Sequence, residues 1–237
     1  MSNLWKVSVI TLMPEMYPGP LGCSLIGDAL ARKLWELSLI NLRDFGIGAH
    51  QKVDDSPAGG GAGMVLKPDV MDAAIAHAKA ASPSSQLIHF SPRGERMSQP
   101  LLRELSQVNL ILLCGRYEAV DERVLDKHQP REVSLGDFVL TGGDIPAMAL
   151  IDGCVRLLPG VVGKEASLGE ESFGGGAYAD LLEYPHYTKP TDWEGRMIPE
   201  VLLSGHHGNV EKWRLEQAKA ITAKRRPDLI GQPKSSK

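Results

Sequence analysis

Three glycine-containing segments follow predicted buried strands, and their residue types suit the binding of a ligand by backbone groups. They cover residues 91–94, 114–118 and 134–143. In open α/β sheets, ligands bind beyond the carboxyl ends of the strands, where glycine lets backbone N–H and C=O groups approach closely. A single glycine at a strand end is more often a simple turn. Because the three segments share the same placement, we expect them to converge on one pocket.

Several other chemical signatures are absent from the sequence. It contains no G-x-x-x-x-G-K-[ST], H-E-x-x-H or G-x-S-x-G motif, and the first predicted strand runs into residues 12–15 without a G-x-G-x-x-G turn. A Rossmann dinucleotide site is therefore not expected. Cys23, Cys114 and Cys154 lie far apart with no C-x-x-C pair, which favours buried, reduced thiols. The adjacent His206 and His207 lack nearby cysteine or carboxylate partners, so we predict surface residues and no metal site.

Predicted strands and helices alternate through the first two thirds of the chain. The strands are 5–12, 39–42, 86–90, 109–114 and 133–139, and the helices are 24–37, 68–81, 98–105, 120–127 and 146–157. Ser24 and Asp144 are the predicted N-caps of the first and last helix. This alternation predicts an α/β fold in which helices cover both faces of a parallel sheet.

The sequence also predicts a division into two domains. Residues 163–179 lose hydrophobic periodicity and include three consecutive glycines, which is typical of a flexible linker. The domains then span 1–162 and 180–237, the second being small and mostly helical. Its main helix is predicted at 209–225, capped by Asn209 and stopped by Pro227, with a frayed tail at 231–237.

Composition excludes wholesale disorder and a membrane span. The 237 residues are 43% hydrophobic and 23% charged, as in ordinary globular proteins, and no apolar run approaches about 18 residues. The N-terminal segment lacks a basic lead-in and a cleavage site, so we expect a cytoplasmic protein. The net charge is −3, but from Gly205 onward eight Lys and Arg face three acidic residues. A polyanionic partner near the C-terminus and a solvated helix face explain this charge equally well.

A set of motifs in a fixed order resembles the bacterial tRNA (guanine-N1)-methyltransferase family across nearly the whole chain. The motifs are Gly59-Gly60-Gly61-Ala62-Gly63-Met64, Ser91-Pro92-x-Gly94, Cys114-Gly115-Arg116-Tyr117-Glu118-x-x-Asp121-Glu122-Arg123, Gly136-Asp137-x-Val139-Leu140-x-Gly142-Gly143, Arg156-x-x-Pro159-Gly160-Val161 and Tyr184-Pro185-His186-Tyr187-Thr188.

This resemblance implies a fold and an activity. The family has the SPOUT fold, an α/β fold with a trefoil knot at the C-terminal end of its first domain, which periodicity cannot predict because true knots are rare. The family methylates N1 of guanine 37 in tRNA with S-adenosylmethionine. The resemblance also implies a homodimer whose active site lies at the subunit interface, and an involvement of Mg²⁺ for which no site is evident.

Motif matching further implies a cofactor pocket in which backbone groups bind the adenine. The implied residues are Phe90, Ser91, Pro92, Gly94, Gly115, Leu135, Gly136, Asp137, Phe138, Val139, Leu140, Gly142, Gly143 and Pro146. For Leu135 and Phe138, a place in the hydrophobic core is the alternative interpretation.

The implied chemistry needs a general base, because N1 of neutral guanine carries a proton. The resemblance assigns this role to Glu171 and assigns to Arg156 the stabilisation of charge on O6. The family usually has Asp where this chain has Glu171. The extra methylene of Glu moves the carboxylate by about 1.5 Å. The neighbouring Glu170 is the alternative base, and solvated linker charges are the other interpretation.

The target base is expected to meet Tyr117 and Glu118, an aromatic platform and a hydrogen-bonding carboxylate. Simple packing at a strand end is the alternative for Tyr117. Asp54 and Gly63 are implied contacts to the neighbouring guanine, although Ala62 replaces the usual proline there.

Two other functions are considered alongside this one. One is a knotted RNA methyltransferase that acts on another base. A non-catalytic adenosine- or RNA-binding protein is less consistent with the chain, because 13 aromatic residues and a modest basic tail are few for a binder that relies on stacking and a basic groove.

Overall fold

A computed structural model describes residues 4–163 and 167–230. The chain forms two compact units, Met1–Gly163 and Lys164–Lys237. None of the helices in the described ranges combines the length and apolar character that crossing a membrane requires.

The first unit contains a five-stranded parallel sheet. Its strands are β1 (Trp5–Thr11), β2 (Trp35–Asn41), β5 (Gln86–Arg96), β6 (Leu110–Leu113) and β8 (Arg131–Ser134), in the order β2-β1-β6-β5-β8. A smaller sheet joins β3 (Asp54–Asp55), β4 (Val65–Leu66) and β7 (Ala119–Val120). The helices are α1 (Ser24–Ala31), α2 (Pro68–Ala81), α3 (Gln99–Leu105), α4 (Glu122–His128) and α5 (Asp144–Val155).

Helices cover both faces of the large sheet, as the central strand β6 shows. Leu110 and Leu112 belong to one core with residues of α1, α3 and α5, whereas Ile111 and Leu113 belong to a second core with residues of α2 and α4. All four side chains are at most 1% exposed. A strand buried on both faces reads as a continuous apolar run, which is why this strand was predictable. The predicted parallel α/β sheet is therefore confirmed.

The segment at residues 91–94 interrupts β5 instead of following it. Phe90 and Glu95 both pair with Val133 of β8, so the four residues between them bulge out of the ladder. The predicted strand ended at Phe90 because apolar character ends there, but hydrogen bonding to β8 resumes and extends β5 to Arg96.

The predicted helix over 24–37 is wrong in its second half. Helix α1 ends at Ala31, and Trp35 begins β2, a strand that was predicted only from residue 39. The apolar spacing continues from Leu30 to Leu37 because residues of both elements pack against the same core. Lys33, with φ of +57°, makes the break between them.

Three predicted N-caps are also wrong. Ser24 is the first residue of α1 and follows the cap position, and α8 (His207–Arg225) begins two residues before Asn209. Asp144 begins α5 but does not cap it, because its side chain is hydrogen-bonded within the core. The strand predicted at 133–139 ends at Ser134, whereas α2 matches its prediction at both ends.

Within residues 167–230, the second unit contains three α-helices and a hairpin. These are α6 (Ser167–Glu170), α7 (Glu200–Leu203), α8, and the antiparallel strands β9 (Asp192–Trp193) and β10 (Arg196–Met197). Its small core joins Leu181, Tyr184 and Ala218. Thr222 of α8 links this helix to the segment around Leu182. Its hydroxyl accepts from the Leu182 N–H at 2.8 Å and donates to the Ala218 carbonyl at 2.7 Å. The predicted tail at 231–237 and residues 164–166 of the predicted linker lie outside the described residues.

Gly94 gives a test of the β5–β8 contact. A Cβ atom at Gly94 would overlap the backbone of Glu132 and Val133. We expect Gly94→Ala to lower the free energy of unfolding by about 2 kcal/mol, because overpacking forces the backbone apart. Urea denaturation measures this change.

Gly208→Ala is the matched control, since Gly208 lies in α8 with no neighbouring atom within 4 Å of the added methyl group. It should be neutral or slightly stabilising, because alanine favours the helix. Equal losses in the two variants would contradict the proposed overlap.

Candidate functional site

A cavity of about 400 Å³ lies in the first unit, within the size range of small-molecule sites. The structure brings the three glycine-containing segments together around it. Its wall comes from residues 89–93 of β5, from 115–122 after β6, and from 133–146 around β8 and the start of α5.

Twelve of the fourteen residues implied to bind a cofactor line this cavity. They are Phe90, Ser91, Pro92, Gly115, Leu135, Gly136, Phe138, Val139, Leu140, Gly142, Gly143 and Pro146. Gly94 instead packs against the backbone of β8, and Asp137 is exposed and paired with Arg96. Their implied contacts with a cofactor stay predictions.

The second and third segments are held together by their backbones. The Gly143 N–H donates to the Gly115 carbonyl at 2.9 Å, and Arg116 and Gly142 form an antiparallel bridge. A Cβ atom at Gly143 would lie 2.8 Å from Cys114 Cα, so only glycine permits this approach. One wall of the cavity is thus built from backbone.

The rim of the cavity is apolar and exposed. Phe138 is 54% and Val139 85% exposed, and Leu140 and Tyr117 are exposed beside them. The interpretation of Phe138 as a core residue is therefore wrong, because the chain leaves β8 at Ser134 and carries this side chain outward. Leu135 is partly buried and lines the cavity.

Tyr117 and Glu118 both line the cavity. Tyr117 has a left-handed φ of +62°, and the Glu118 N–H donates to the Met64 carbonyl at 3.0 Å. Gly63 lies directly against the Glu118 carboxyl group, leaving no room for a Cβ atom. Asp54 lies in β3, paired with Leu66, and like Gly63 it is not part of the cavity wall.

The two implied catalytic residues belong to different units. Arg156 is the C-cap residue of α5 in the first unit and does not line the cavity. Glu171 follows α6 in the second unit, where its carbonyl accepts from the Gly174 N–H at 2.8 Å. Glu170 accepts a hydrogen bond from the Tyr184 hydroxyl at 3.1 Å and pairs with Arg214 at 3.4 Å.

His89 is a cavity residue that sequence reasoning missed. It is 6% exposed in β5, and its Nδ1 is 3.2 Å from Glu132 Oε1. Burial lowers the pKa of His89, although the hydrogen bond to Glu132 opposes this shift. The available signal was its position at the end of a buried apolar run, two residues before the first glycine-containing segment.

Arg93 and Glu122 extend this cluster to the surface. Arg93 Nη2 is 3.3 Å from Glu122 Oε2 and 3.2 Å from Glu132 Oε1. More than half of the Arg93 side chain is exposed, so these ion pairs contribute little stability. Arg93 and His89 thus share one partner atom, Glu132 Oε1.

Asp144 and Arg116, also missed, form a buried ion pair beside the cavity. The Asp144 side chain is 1% and that of Arg116 17% exposed, with Nη2 2.7 Å from Oδ2. Nearby, burial raises the pKa of the Cys114 thiol and of the Tyr17 hydroxyl, and the Asp144 carboxylate adds to both shifts. Both groups therefore stay protonated at neutral pH.

The predicted burial of the cysteine side chains is confirmed for two of the three. All three cysteines are free, and Cys114 and Cys154 are buried, but Cys23 is exposed because it precedes α1 at the surface. His206 and His207 are exposed. Within residues 4–163 and 167–230, no group of three His, Cys, Asp or Glu side chains is placed to hold a metal ion.

The chain is similar to known proteins over nearly its whole length. A family model described as "tRNA (Guanine-1)-methyltransferase TrmD" matches residues 5–232. Proteins named "tRNA (guanine-N(1)-)-methyltransferase" are similar to the chain: the one from Ruegeria pomeroyi is 56% identical over 96% of this chain and 93% of its own length. The one from Rhodospirillum rubrum is 55% identical over 94% and 92%, respectively.

The buried imidazole predicts a pH dependence of stability. Because the pKa of His89 lies below its ordinary value of 6.5 in the folded state, the unfolded state takes up the proton first as pH falls. Stability is therefore lost as pH drops below about 6.5. We expect His89→Gln, which cannot titrate, to lose less stability than the unaltered protein between pH 7 and about 5.

Melting temperatures across this pH range measure the difference. Other titrating groups contribute equally to both proteins, so the gap between the two curves isolates His89. Curves that run parallel from pH 7 downward would show that His89 titrates alike in the folded and unfolded states.

Proposed function

The chain belongs to the tRNA (guanine-1)-methyltransferase family, and from this premise we propose which residues carry out its reaction. Its activity is the transfer of a methyl group to N1 of a guanine in tRNA. We propose that the guanine is at position 37, that S-adenosylmethionine is the methyl donor and that the enzyme works in the cytoplasm, where tRNA is found. The observation that carries the proposal is the convergence of twelve implied cofactor residues on one cavity.

The residues of this cavity suit S-adenosylmethionine. Its volume and its backbone wall fit a ligand with an adenine and a flexible chain. The backbone of residues 135–140 would hold the adenine, with Phe90, Pro92 and Gly115 on the remaining sides. When bound, the cofactor supplies a methyl group on a positively charged sulfur. Glycine at 142 and 143 keeps the chain close enough for such contacts.

The protein must then make N1 of guanine available. Its proton has to be removed, and negative charge accumulates on O6 as this happens. We assign proton removal to Glu171. General-base catalysis of this kind contributes about 10²- to 10⁴-fold to the rate. We assign stabilisation of O6 to the Arg156 guanidinium, which is always charged.

Glu170, the alternative base, has side-chain contacts within the second unit. The Glu170 carboxylate is engaged by the Tyr184 hydroxyl and by Arg214, whose guanidinium also lies over the Tyr184 ring at 4.7 Å. This engagement fits a structural role in the second unit. We therefore propose that Glu170 orders the segment that carries Glu171.

The target base is proposed to bind at the rim of the cavity. Tyr117 is half exposed there and offers a stacking surface, which a base removed from its helical stack requires. Glu118 beside it can hydrogen-bond to the Watson–Crick edge. We place the neighbouring guanine near Gly63, which contacts Glu118, and near Asp54.

We further propose a homodimer, with the active site at the subunit interface and a trefoil knot in the first unit. The exposed apolar rim of Phe138, Val139 and Leu140 supports a protein contact beside the cavity. The basic residues of α8 support tRNA binding by the second unit. Among the described residues, no group of three His, Cys, Asp or Glu side chains is placed to hold Mg²⁺, so no step here is assigned to it.

Glu171→Gln tests the base assignment. We expect the rate of methyl transfer to tRNA to fall by about 10²-fold or more, because the amide cannot accept the proton. The affinity for S-adenosylmethionine, measured by calorimetry, should change less than about twofold, since Glu171 lies outside the cavity wall.

Glu170→Gln is the matched control and should retain at least a tenth of the rate. Transfer that falls less than tenfold in Glu171→Gln would contradict the assignment, and a larger loss in Glu170→Gln would move the role to Glu170.

The position of the methylated base is tested with a tRNA transcript that carries adenine at position 37. Adenine lacks the N1 proton and the O6 that the assigned residues act on, so we expect methyl incorporation at background level. Undiminished incorporation would show that another nucleotide is the target.

A further inference from the structure

Asp144 lies at the centre of a buried hydrogen-bond network between the core and the cavity wall. Its Oδ1 accepts from the Thr11 hydroxyl at 2.6 Å and from the Tyr17 hydroxyl at 3.2 Å. Its Oδ2 accepts from Arg116 Nε at 3.0 Å and from Nη2 at 2.7 Å. Two buried elements of the core thus hold one oxygen, and a residue of the cavity wall holds the other.

The Arg116 side chain contacts Gly142 and Met16 in addition to Asp144. A Cβ atom at Gly142 would lie 2.6 Å from Arg116 Cδ and Nε, so the side chain packs flat against the Gly142 backbone. Arg116 Nη2 also contacts Met16 Sδ at 3.3 Å. Asp144 holds the guanidinium at the end of the side chain, and the Arg116 backbone is bridged to Gly142.

The residue after Arg116 is the one that the proposed function assigns to base stacking. Tyr117 has a φ of +62°, which L-residues adopt only when the surroundings require it. On one side of Tyr117 the chain is held by Arg116, and on the other by the hydrogen bond from the Glu118 N–H to the Met64 carbonyl. On the Arg116 side, the backbone bridge with Gly142 is supplemented by the two side-chain hydrogen bonds to Asp144.

We propose that Asp144 is a positioning residue for the target base, which acts through Arg116 to hold Tyr117 in its left-handed conformation. This inference rests on the proposed function of Tyr117. Cofactor binding depends less on Asp144, because the Gly143–Gly115 hydrogen bond holds the cofactor wall independently. The ligand whose binding depends on Asp144 is therefore the flipped guanine base that stacks on Tyr117.

The test is a double-mutant cycle of Asp144→Asn and Tyr117→Ala. Asparagine keeps the size of the side chain but offers one acceptor oxygen in place of two, so the contact with Arg116 is weakened. We expect Asp144→Asn alone to lower kcat/KM for tRNA by about 30-fold, a typical coupling between residues of one network. In the Tyr117→Ala background the same change should lower kcat/KM by less than about threefold. Equal losses in both backgrounds would overturn the proposal.

Thr11→Val is the matched control. It removes a hydrogen bond to Oδ1 and leaves both Arg116 contacts with Oδ2 in place. We expect a loss of stability like that of Asp144→Asn but a change in kcat/KM below about threefold. If Thr11→Val lowers kcat/KM as much as Asp144→Asn does, the effect is one of general stability and the proposal fails.

Two further measurements guard against a variant that does not fold and against failure of the proposed function. Arg116→Lys keeps a charge opposite Asp144 but lacks the planar fork, so it should show the same dependence on Tyr117. Without any ligand, hydrogen exchange of the Glu118 amide should be about tenfold faster in Asp144→Asn and in Arg116→Lys than in Thr11→Val. Unchanged exchange would overturn the positioning role, whereas an unaltered enzyme that methylates no tRNA would overturn the proposed function instead.

Discussion

The close approach of two backbone segments, residues 114–116 and 142–144, is the constraint on which the candidate site depends. The Gly143–Gly115 hydrogen bond is possible because Gly143 has no side chain, since a Cβ atom there would lie 2.8 Å from Cys114 Cα. Helix α5 begins at this point, which places Asp144 in the core at the end of β1. The same approach forces Arg116 against Gly142. Cavity wall, buried ion pair and the orientation of Tyr117 therefore share one origin.

The fold could be predicted where an element faces a single, uniform environment. Strand β6 is buried on both faces, and helix α2 has a regular apolar face with Pro68 in its first turn, so both were predictable. The α1–β2 region was not, because helix and strand contribute residues to the same core and their apolar positions merge into one pattern. The interruption of β5 depends on pairing with β8, a contact between residues that are distant in sequence.

The site shows a similar division between what composition reveals and what packing creates. The glycine-containing segments could be predicted because backbone proximity requires glycine, a local property of the sequence. His89 and Asp144 were missed or misread, because each looks ordinary in sequence and gains its role from a partner more than 40 residues away, Glu132 or Thr11. Gly94 was assigned to the cofactor, yet the structure gives it a second reason to be glycine in its contact with β8.

The wall built from backbone has a consequence for selective inhibition. A compound that copies only contacts with main-chain atoms would meet the same surface in any relative that keeps these glycines, and selectivity would be poor. His89 differs in kind, because it presents a buried imidazole to the cavity with one nitrogen turned toward Glu132. A compound extended toward that ring would gain a side-chain contact that the wall built from backbone does not offer.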